Sequence, residues 1–235
     1  MNIMLSAIAH YPESLRKPIG AILENPAKHM RHVFEGPRIN FPSDTITLKG
    51  KDLPLEGATW VSAALAPCFF IALVSRNDRG DLQEVNAGHF SAHFDDREFS
   101  SFLAQIEAPP ERNRFFIAGM AQRTSHFTLK RSAERILGGI NTFGLPVSLG
   151  WENEARPYLT DLRSGRRVSD LGLGLSDGAE EDKALGRYVS LGVTSTHVAL
   201  VSTVFRRTPG VLTPYQTHLI TEETGVITKE HLLES

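Results

Sequence analysis

Apolar residues dominate the chain from Thr59 to Ser75, and they leave no polar stripe of the kind that an amphipathic helix carries. Such a run is typical of strands that are buried on both faces. The turn-forming residues 77–80 end it, and the loosely alternating segment from Glu84 to His93 then predicts another strand. We therefore predict a sheet in the first half of the chain.

Helical spacing of apolar residues occurs in two later segments. Asp95-Asp96 offers an N-cap for the first helix, and Pro109-Pro110 ends it. The second helix stops at Gly144, two residues before Pro146. A short buried strand, Arg114 to Met120, is predicted between them. The residues that define the two apolar faces are Phe99, Phe102, Leu103 and Ile106 in the first helix, and Leu129, Ala133, Ile136, Leu137, Ile140 and Phe143 in the second.

The C-terminal third is predicted to be mostly β. Ser164-Gly165 is typical of a hairpin turn. The segment from Leu171 to Asp182 is rich in Gly, Asp and Glu, which predicts a loop. Strand patterns occur at Val147 to Trp151, Pro157 to Leu162, Arg166 to Val168, Tyr188 to Val193, His197 to Phe205 and Tyr215 to Ile220.

The N-terminal segment holds two short helical candidates, which we expect Pro18 and Pro26 to break. The order of elements predicts an α+β (mixed α/β) fold, in which β-rich sheet layers are covered by two main helices. We predict an N-terminal helical cap over residues 1–44, a core over residues 45–170, and a β-rich C-terminal extension over residues 171–235 that packs on the core.

Composition narrows the classes of function. The chain has 235 residues, 41% of them hydrophobic, and a formal net charge of -2 with Lys and Arg scattered, so we expect no nucleic-acid partner. No segment has the length of an apolar membrane span or of a signal-peptide core, which predicts no membrane insertion and synthesis in the cytoplasm. A single cysteine cannot form an internal disulfide or a cysteine-rich zinc site.

That single cysteine, Cys68, stands at the head of an apolar run. Free cysteines in such a context are commonly inert core residues. A reactive cysteine needs partly open, electropositive surroundings and a base that takes up its proton. The turn at Ala66-Pro67 could present the Cys68 sulfur at the lip of a strand, which makes this residue the candidate for covalent chemistry.

Two histidines are candidates for the base. His89 is the better placed, because Gly88 allows close backbone approach and a neighbouring strand could bring it to Cys68 across one ladder step. His93 is the reserve, but on a regular strand it lies about 13 Å further along, so both cannot serve one sulfur. The alternative for each is a partly exposed histidine with one hydrogen bond. A metal site is disfavoured, since their spacing falls on a predicted strand and no Glu follows the first histidine.

The order of several elements resembles a known family. Residues 62–68 (Ser-Ala-Ala-Leu-Ala-Pro-Cys) precede a hydrophobic strand and a turn with Asp78, and the histidine contexts are residues 87–90 and 91–94. Residues 115–168 add a strand, a helix, a Gly-Leu-Pro segment and a strand-turn-strand. This arrangement is similar to that of CheD, the bacterial chemotaxis glutamine deamidases, over about half of the chain. The family's Thr-x-Leu-Gly-Ser-Cys segment is the counterpart of residues 62–68.

The chain departs from the family pattern beside the cysteine. The family's Gly-Ser is Ala66-Pro67 here, and because proline lacks an N–H, an oxyanion hole must use the amides of Cys68 or Phe69. Ser62 stands where the family has a threonine whose hydroxyl helps to orient the histidine. The region after Asp170 has no recognised counterpart.

The resemblance implies a cysteine amidohydrolase that converts protein glutamine to glutamate with release of ammonia. Cys68 would be the nucleophile, His89 the general base and acid, and Ser62 the ring-orienting hydroxyl, with no cofactor and no metal. The implied partner is a glutamine-bearing protein, and a bacterial effector or toxin that leaves the cytoplasm without a signal peptide fits the additions to the core. The alternatives are an inactive protein-binding module on the same scaffold, or a thiol protease or acyltransferase. The sequence leaves the oligomeric state open.

Overall fold

The computed structural model describes residues 3–30, 45–65, 68–91, 94–119, 126–152, 156–171, 184–208 and 211–230. Together these residues adopt the predicted α+β fold. The helices are α1 (Ile3–Ala7), α2 (Glu13–Glu24), α3 (Asp96–Ala104) and α4 (His126–Thr142), and short 3-10 helices occupy Pro26–Met30, Gly50–Asp52 and Pro110–Arg112. The strands are β1 (Thr45–Lys49), β2 (Thr59–Leu65), β3 (Cys68–Arg76), β4 (Leu82–Ser91), β5 (Asn113–Gly119), β6 (Val147–Glu152), β7 (Arg156–Asp161), β8 (Arg166–Arg167), β9 (Ser169–Leu171), β10 (Ala184–Val193), β11 (Val198–Thr208), β12 (Val211–Thr221) and β13 (Gly225–Glu230).

Two five-stranded sheets pack face to face. The first sheet has the order β1-β4-β3-β5-β9, the second has the order β13-β12-β11-β10-β2, and β6-β7-β8 form a small third sheet. One apolar cluster fills the layer between the two large sheets. A second cluster joins the outer face of the first sheet to α3 and α4, and a third joins the outer face of the second sheet to α1 and α2. The result is four layers in the order helix, sheet, sheet, helix.

Strand β3 is buried on both faces, as its apolar sequence predicts. Cys68 and the alternate residues as far as Val74 face the second sheet, whereas Phe69 and Ile71 face the helices. All of these side chains are at most 5% exposed. The central strand of the first sheet therefore has no face in contact with solvent.

The predicted apolar face of the first main helix is confirmed. Asp95 caps α3, because its Oδ1 accepts a hydrogen bond of 2.9 Å from the backbone N–H of Arg97. Phe99 then packs edge-on against three rings, at centroid distances of 5.4 to 6.0 Å. The rings in contact with Phe99 in this way are Phe69, Phe90 and Phe94.

Pro18 does not break the N-terminal helix, contrary to the prediction. Helix α2 runs from Glu13 to Glu24 with Pro18 inside it, and ends just before Pro26. An internal proline costs a helix about 3 kcal/mol. Burial of each large aliphatic side chain contributes roughly 1.5–3 kcal/mol, which outweighs that cost when four such residues are fully buried. The four are Leu15, Ile19, Ile22 and Leu23.

The C-terminal strands share one layered unit with the rest of the chain. Residues 187–193 of β10 pair with the whole of β2. Strands from the predicted core and from the predicted extension therefore form a single sheet. The predicted boundary after residue 170 falls inside β9, which pairs in parallel with β5. The predicted loop beyond Leu171 lies outside the described residues.

Two adjacent glycines of α4 give a matched test of the packing of α4 against α3. A Cβ on Gly139 would lie 2.6 Å from the Cδ1 and Cε1 atoms of the buried Phe99 ring, whereas a Cβ on Gly138 would meet no atom within 4 Å. We expect Gly139→Ala to lower the free energy of unfolding by about 1–3 kcal/mol through overpacking. Gly138→Ala should raise it by up to about 1 kcal/mol through helix propensity. Urea unfolding measures both changes, and equal effects would contradict this packing.

Candidate functional site

Several strand termini meet at one end of the two-sheet sandwich. Strand β3 begins there at Cys68, opposite the end of β4 at Ser91, and β5 ends there at Gly119. Strand β9 ends at the same side, because Gly119 is in register with Leu171. In the second sheet, β2 ends there at Leu65, beside the start of β10. We call this end of the sandwich the Cys68 end.

Cys68 and His89 lie on the same face of neighbouring strands. Cys68 is in register with Ser91, and Phe70 is in register with His89, so the two candidate residues are diagonal neighbours one ladder step apart. Diagonal neighbours in an antiparallel pair have Cα atoms about 7–8 Å apart, within reach of a ring side chain. Both side chains point into the layer between the sheets, and they are 5% and 2% exposed. The fold thus brings together a thiol and an imidazole.

The surroundings of Cys68 are largely apolar. Its cluster includes Leu65 and Ala63 of the facing sheet and Phe70 of its own strand. Ser91, directly across the ladder, is the half-buried polar neighbour on the same face. Because the sheets close the layer above and below, a substrate would reach the sulfur from the end of the sandwich.

Ser62 does not join Cys68 and His89, contrary to the predicted role. On β2, residues 61, 63 and 65 face the layer between the sheets, so Ser62 faces the helices on the far side. There its Oγ lies 3.2 Å from Ser190 Oγ, which in turn lies 2.9 Å from His29 Nε2. The sequence predicts the strand but not its facing, and a shift of one residue moves a side chain to the opposite face.

Two residues named in the predictions lie outside the described residues. They are His93, the reserve base, and Pro67, the proline beside Cys68. Phe69 is paired with Phe90 on one side and Gly119 on the other, so its N–H belongs to the sheet ladder. Of the two amides predicted for an oxyanion hole, the Cys68 amide is therefore the one at the strand terminus.

A buried ionic cluster occupies the layer between the sheets. Arg187, which is fully buried, donates from Nη1 to the Asp170 carboxylate, to the Asp170 carbonyl oxygen at 3.1 Å and to Ser202 Oγ at 3.4 Å. His218 places Nε2 at 3.1 Å from Asp170 Oδ2, and its Nδ1 lies 3.1 Å from Thr228 Oγ1. The cluster links strand β9 of the first sheet to four strands of the second, β10 to β13.

The charges within this cluster set its protonation. Burial alone would raise the pKa of Asp170, but the nearby charges, that of Arg187 first, hold it below its usual range. Burial lowers the pKa of His218 to about 4, and Arg187 acts in the same direction against the opposing charge of Asp170. At neutral pH the cluster therefore contains a carboxylate, a guanidinium and a neutral imidazole.

Sequence reasoning missed this cluster, although the alternation of the strands contained a signal. Val189, Leu191 and Val193 face the core, so Arg187 shares their parity and must face it too. In β12 the same argument places His218 on the face of the buried Ile220. A charged or titratable residue at an inward position of an apolar strand is destabilising unless it is paired. Such a residue therefore indicates a buried polar site with a partner nearby.

Comparisons of the chain with models of protein families, with curated proteins and with solved structures find no match. Within the described ranges, no group of three or more His, Cys, Asp or Glu side chains is arranged to hold a metal ion. No helix in those ranges is long and apolar enough to cross a bilayer.

His218 predicts a pH dependence of stability. Its pKa is about 4 in the folded protein and about 6.5 in the unfolded chain, so the unfolded chain binds the proton more readily between these values. The contribution of the neutral imidazole is complete above pH 6.5 and is lost as the pH falls toward 4. We expect the loss to be on the order of 3 kcal/mol.

Urea unfolding at a series of pH values, compared with a His218→Gln variant, measures this contribution. The variant keeps a neutral polar side chain but cannot titrate, so its stability should fall less steeply between pH 6.5 and 4. Above pH 7.5 the two proteins should show the same dependence on pH. Parallel curves over the whole range would contradict the assignment to His218.

Proposed function

We propose that this protein is a cysteine amidohydrolase that deamidates glutamine side chains of a protein substrate. The observation that carries the proposal is the placement of Cys68 and His89 as diagonal neighbours on one face, at a sandwich end where strand termini meet. The order of elements that resembles the glutamine deamidases supports the choice of reaction. A nucleophilic thiol needs its base within hydrogen-bond reach, and diagonal positions on neighbouring strands are compatible with that need.

The reaction proceeds through a thioester. His89 takes the proton from the Cys68 thiol, and the sulfur attacks the carboxamide carbon to form a C–S bond and a tetrahedral oxyanion. His89 returns the proton to the leaving nitrogen as the C–N bond breaks, and ammonia departs. Water then hydrolyses the thioester, so that one glutamine and one water yield one glutamate and one ammonia. No cofactor enters this balance.

The proposed substrate is a glutamine-bearing protein, and the proposed setting is a bacterial effector or toxin. Helices α1 and α2 and strands β10 to β13, which form most of the second sheet, lie outside the likeness to the chemotaxis enzymes. These elements add surface for a different protein partner. The protein would act in the cytoplasm or leave it by a route that needs no signal peptide.

A peptide assay tests this function. The protein is incubated with a blocked peptide that carries one Gln, and the peptide mass and the ammonia are measured. We expect a mass gain of about 1 Da, from exchange of NH2 for OH, with equimolar ammonia. Cys68→Ser and His89→Gln should lower the rate at least 100-fold, since proton transfer by a positioned base contributes 10²–10⁴.

Ser62→Ala is the matched control. Ser62 lies on the far face of its sheet, so its loss should leave the rate within about twofold of the wild-type rate. Ammonia release that survives Cys68→Ser would refute the mechanism. A Ser62→Ala variant as inactive as Cys68→Ser would contradict the placement of the site.

The rival function is a binding module in which Cys68 is inert. The observation that favours it is the 5% exposure of Cys68 among apolar neighbours. This rival predicts no change of peptide mass at any enzyme concentration. A thiol protease or acyltransferase would instead produce cleavage or a larger mass increase, so the same spectrum separates the three functions.

A further inference from the structure

Arg187 has donor atoms that the buried ionic cluster does not use. The side chain is fully buried, and Nη1 makes the hydrogen bonds to Asp170 and Ser202. Nε and Nη2 are also buried, and they have no hydrogen-bond partner within the parts of the chain that the structure describes. A buried donor left without a partner is destabilising, because it has lost its hydrogen bond to water and gained none in return. Two such donors on one cation indicate a place for an acceptor.

The two unused nitrogens lie on one edge of the guanidinium. Nη1 sits on the side of Cδ, so Nε and Nη2 direct N–H bonds in parallel away from it. This edge matches the two oxygens of a carboxylate, with which arginine forms paired charge-assisted hydrogen bonds. The bonds to Asp170 hold the guanidinium plane, so the edge is oriented before a ligand arrives.

The Nε and Nη2 edge of Arg187 is not used by the ion pairs around it. Asp170 accepts hydrogen bonds from Nη1 alone. Arg167, whose Nη2 lies 4.0 Å from Asp170 Oδ1, is itself paired with Glu152, 2.9 Å from its Nη1, and does not compete for this edge. Within the described residues, no carboxylate therefore accepts a hydrogen bond from Nε or Nη2 of Arg187.

Arg187 lies near the Cys68 end. It is in register with Leu65, the last residue of β2, and only residues 66 and 67 separate Leu65 from Cys68 along the chain. We propose that the Nε and Nη2 edge of Arg187 is a binding site for a carboxylate, supplied by a small carboxylic acid or by a free peptide C-terminus. The site stands on the geometry of Arg187 and does not depend on catalysis by Cys68.

The test compares wild type with Arg187→Lys. Lysine keeps a positive charge for Asp170 but lacks the paired edge. The probes are acetate, a short peptide with a free C-terminus, the same peptide amidated, and inorganic phosphate, and binding is measured by calorimetry and by the shift of the thermal midpoint. We expect acetate, the free-acid peptide or both to bind wild type, and Arg187→Lys to bind at least tenfold more weakly.

The comparison between probes identifies the source of the carboxylate. Binding of the free-acid peptide without acetate indicates a peptide terminus, and binding of acetate indicates a small acid. Equal binding of the amidated and free peptides without acetate, stronger binding of phosphate, unchanged affinity in Arg187→Lys, or no binding to wild type would each overturn the proposal.

A second measurement and a second variant keep the test decisive. If Arg187→Lys does not fold, the side-chain Nε–H signal of Arg187 in the wild-type protein is followed by NMR during titration with acetate and with the free-acid peptide. The signal should shift as the carboxylate binds, and a signal that stays unchanged with both probes would contradict the proposal. Cys68→Ser should bind the carboxylate as wild type does. A wild-type protein that binds the carboxylate but releases no ammonia would overturn the proposed function and leave this site in place, whereas a protein that releases ammonia but binds no carboxylate would overturn this site alone.

Discussion

The burial of strand β3 on both faces is the constraint on which the rest of the structure depends. Both faces of β3 carry apolar side chains, so another layer must cover each of them. Helices cover one face, and the second sheet covers the other. The four layers follow from this requirement. It also means that Cys68 can be approached only at the strand terminus, which fixes where any chemistry of its thiol must take place.

The layer between the sheets changes character along its length. Toward the far end it is filled by residues such as Leu191 and Leu200, whereas nearer the Cys68 end it holds Asp170, Arg187 and His218. Breaking a buried ion pair leaves an uncompensated charge and costs about 3–5 kcal/mol. The pair between Asp170 and Arg187 therefore fixes the position of β9 against the second sheet, close to the candidate nucleophile.

The sequence predicts where the helices and strands lie better than it predicts which face of a sheet each side chain occupies. Capping at Asp95 and the spacing of Phe99, Phe102 and Leu103 specify α3 correctly, because local geometry decides them. The helix break predicted at Pro18 is wrong, because burial of the apolar side chains of α2 outweighs the local cost of the proline. Strand β13 carries no strong pattern of its own and forms by pairing with β12.

The candidate site shows the same division. The positions of Cys68 and His89 on neighbouring strands are predictable from the apolar run and the turn that follows it. The face on which Ser62 lies depends on register, and the contact of Asp170 with Arg187 joins residues of two different sheets. Neither is available from spacing along the chain, because both arise when the two sheets pack.

The central claim is that Cys68 is an activated nucleophile with His89 as its base. The most direct measurement is the rate of alkylation of the folded protein by iodoacetamide near neutral pH, compared with the rate in urea and with the His89→Gln variant. We expect the folded protein to react faster than the unfolded chain, and the variant to lose that advantage. A cysteine that reacts only after unfolding would contradict the claim.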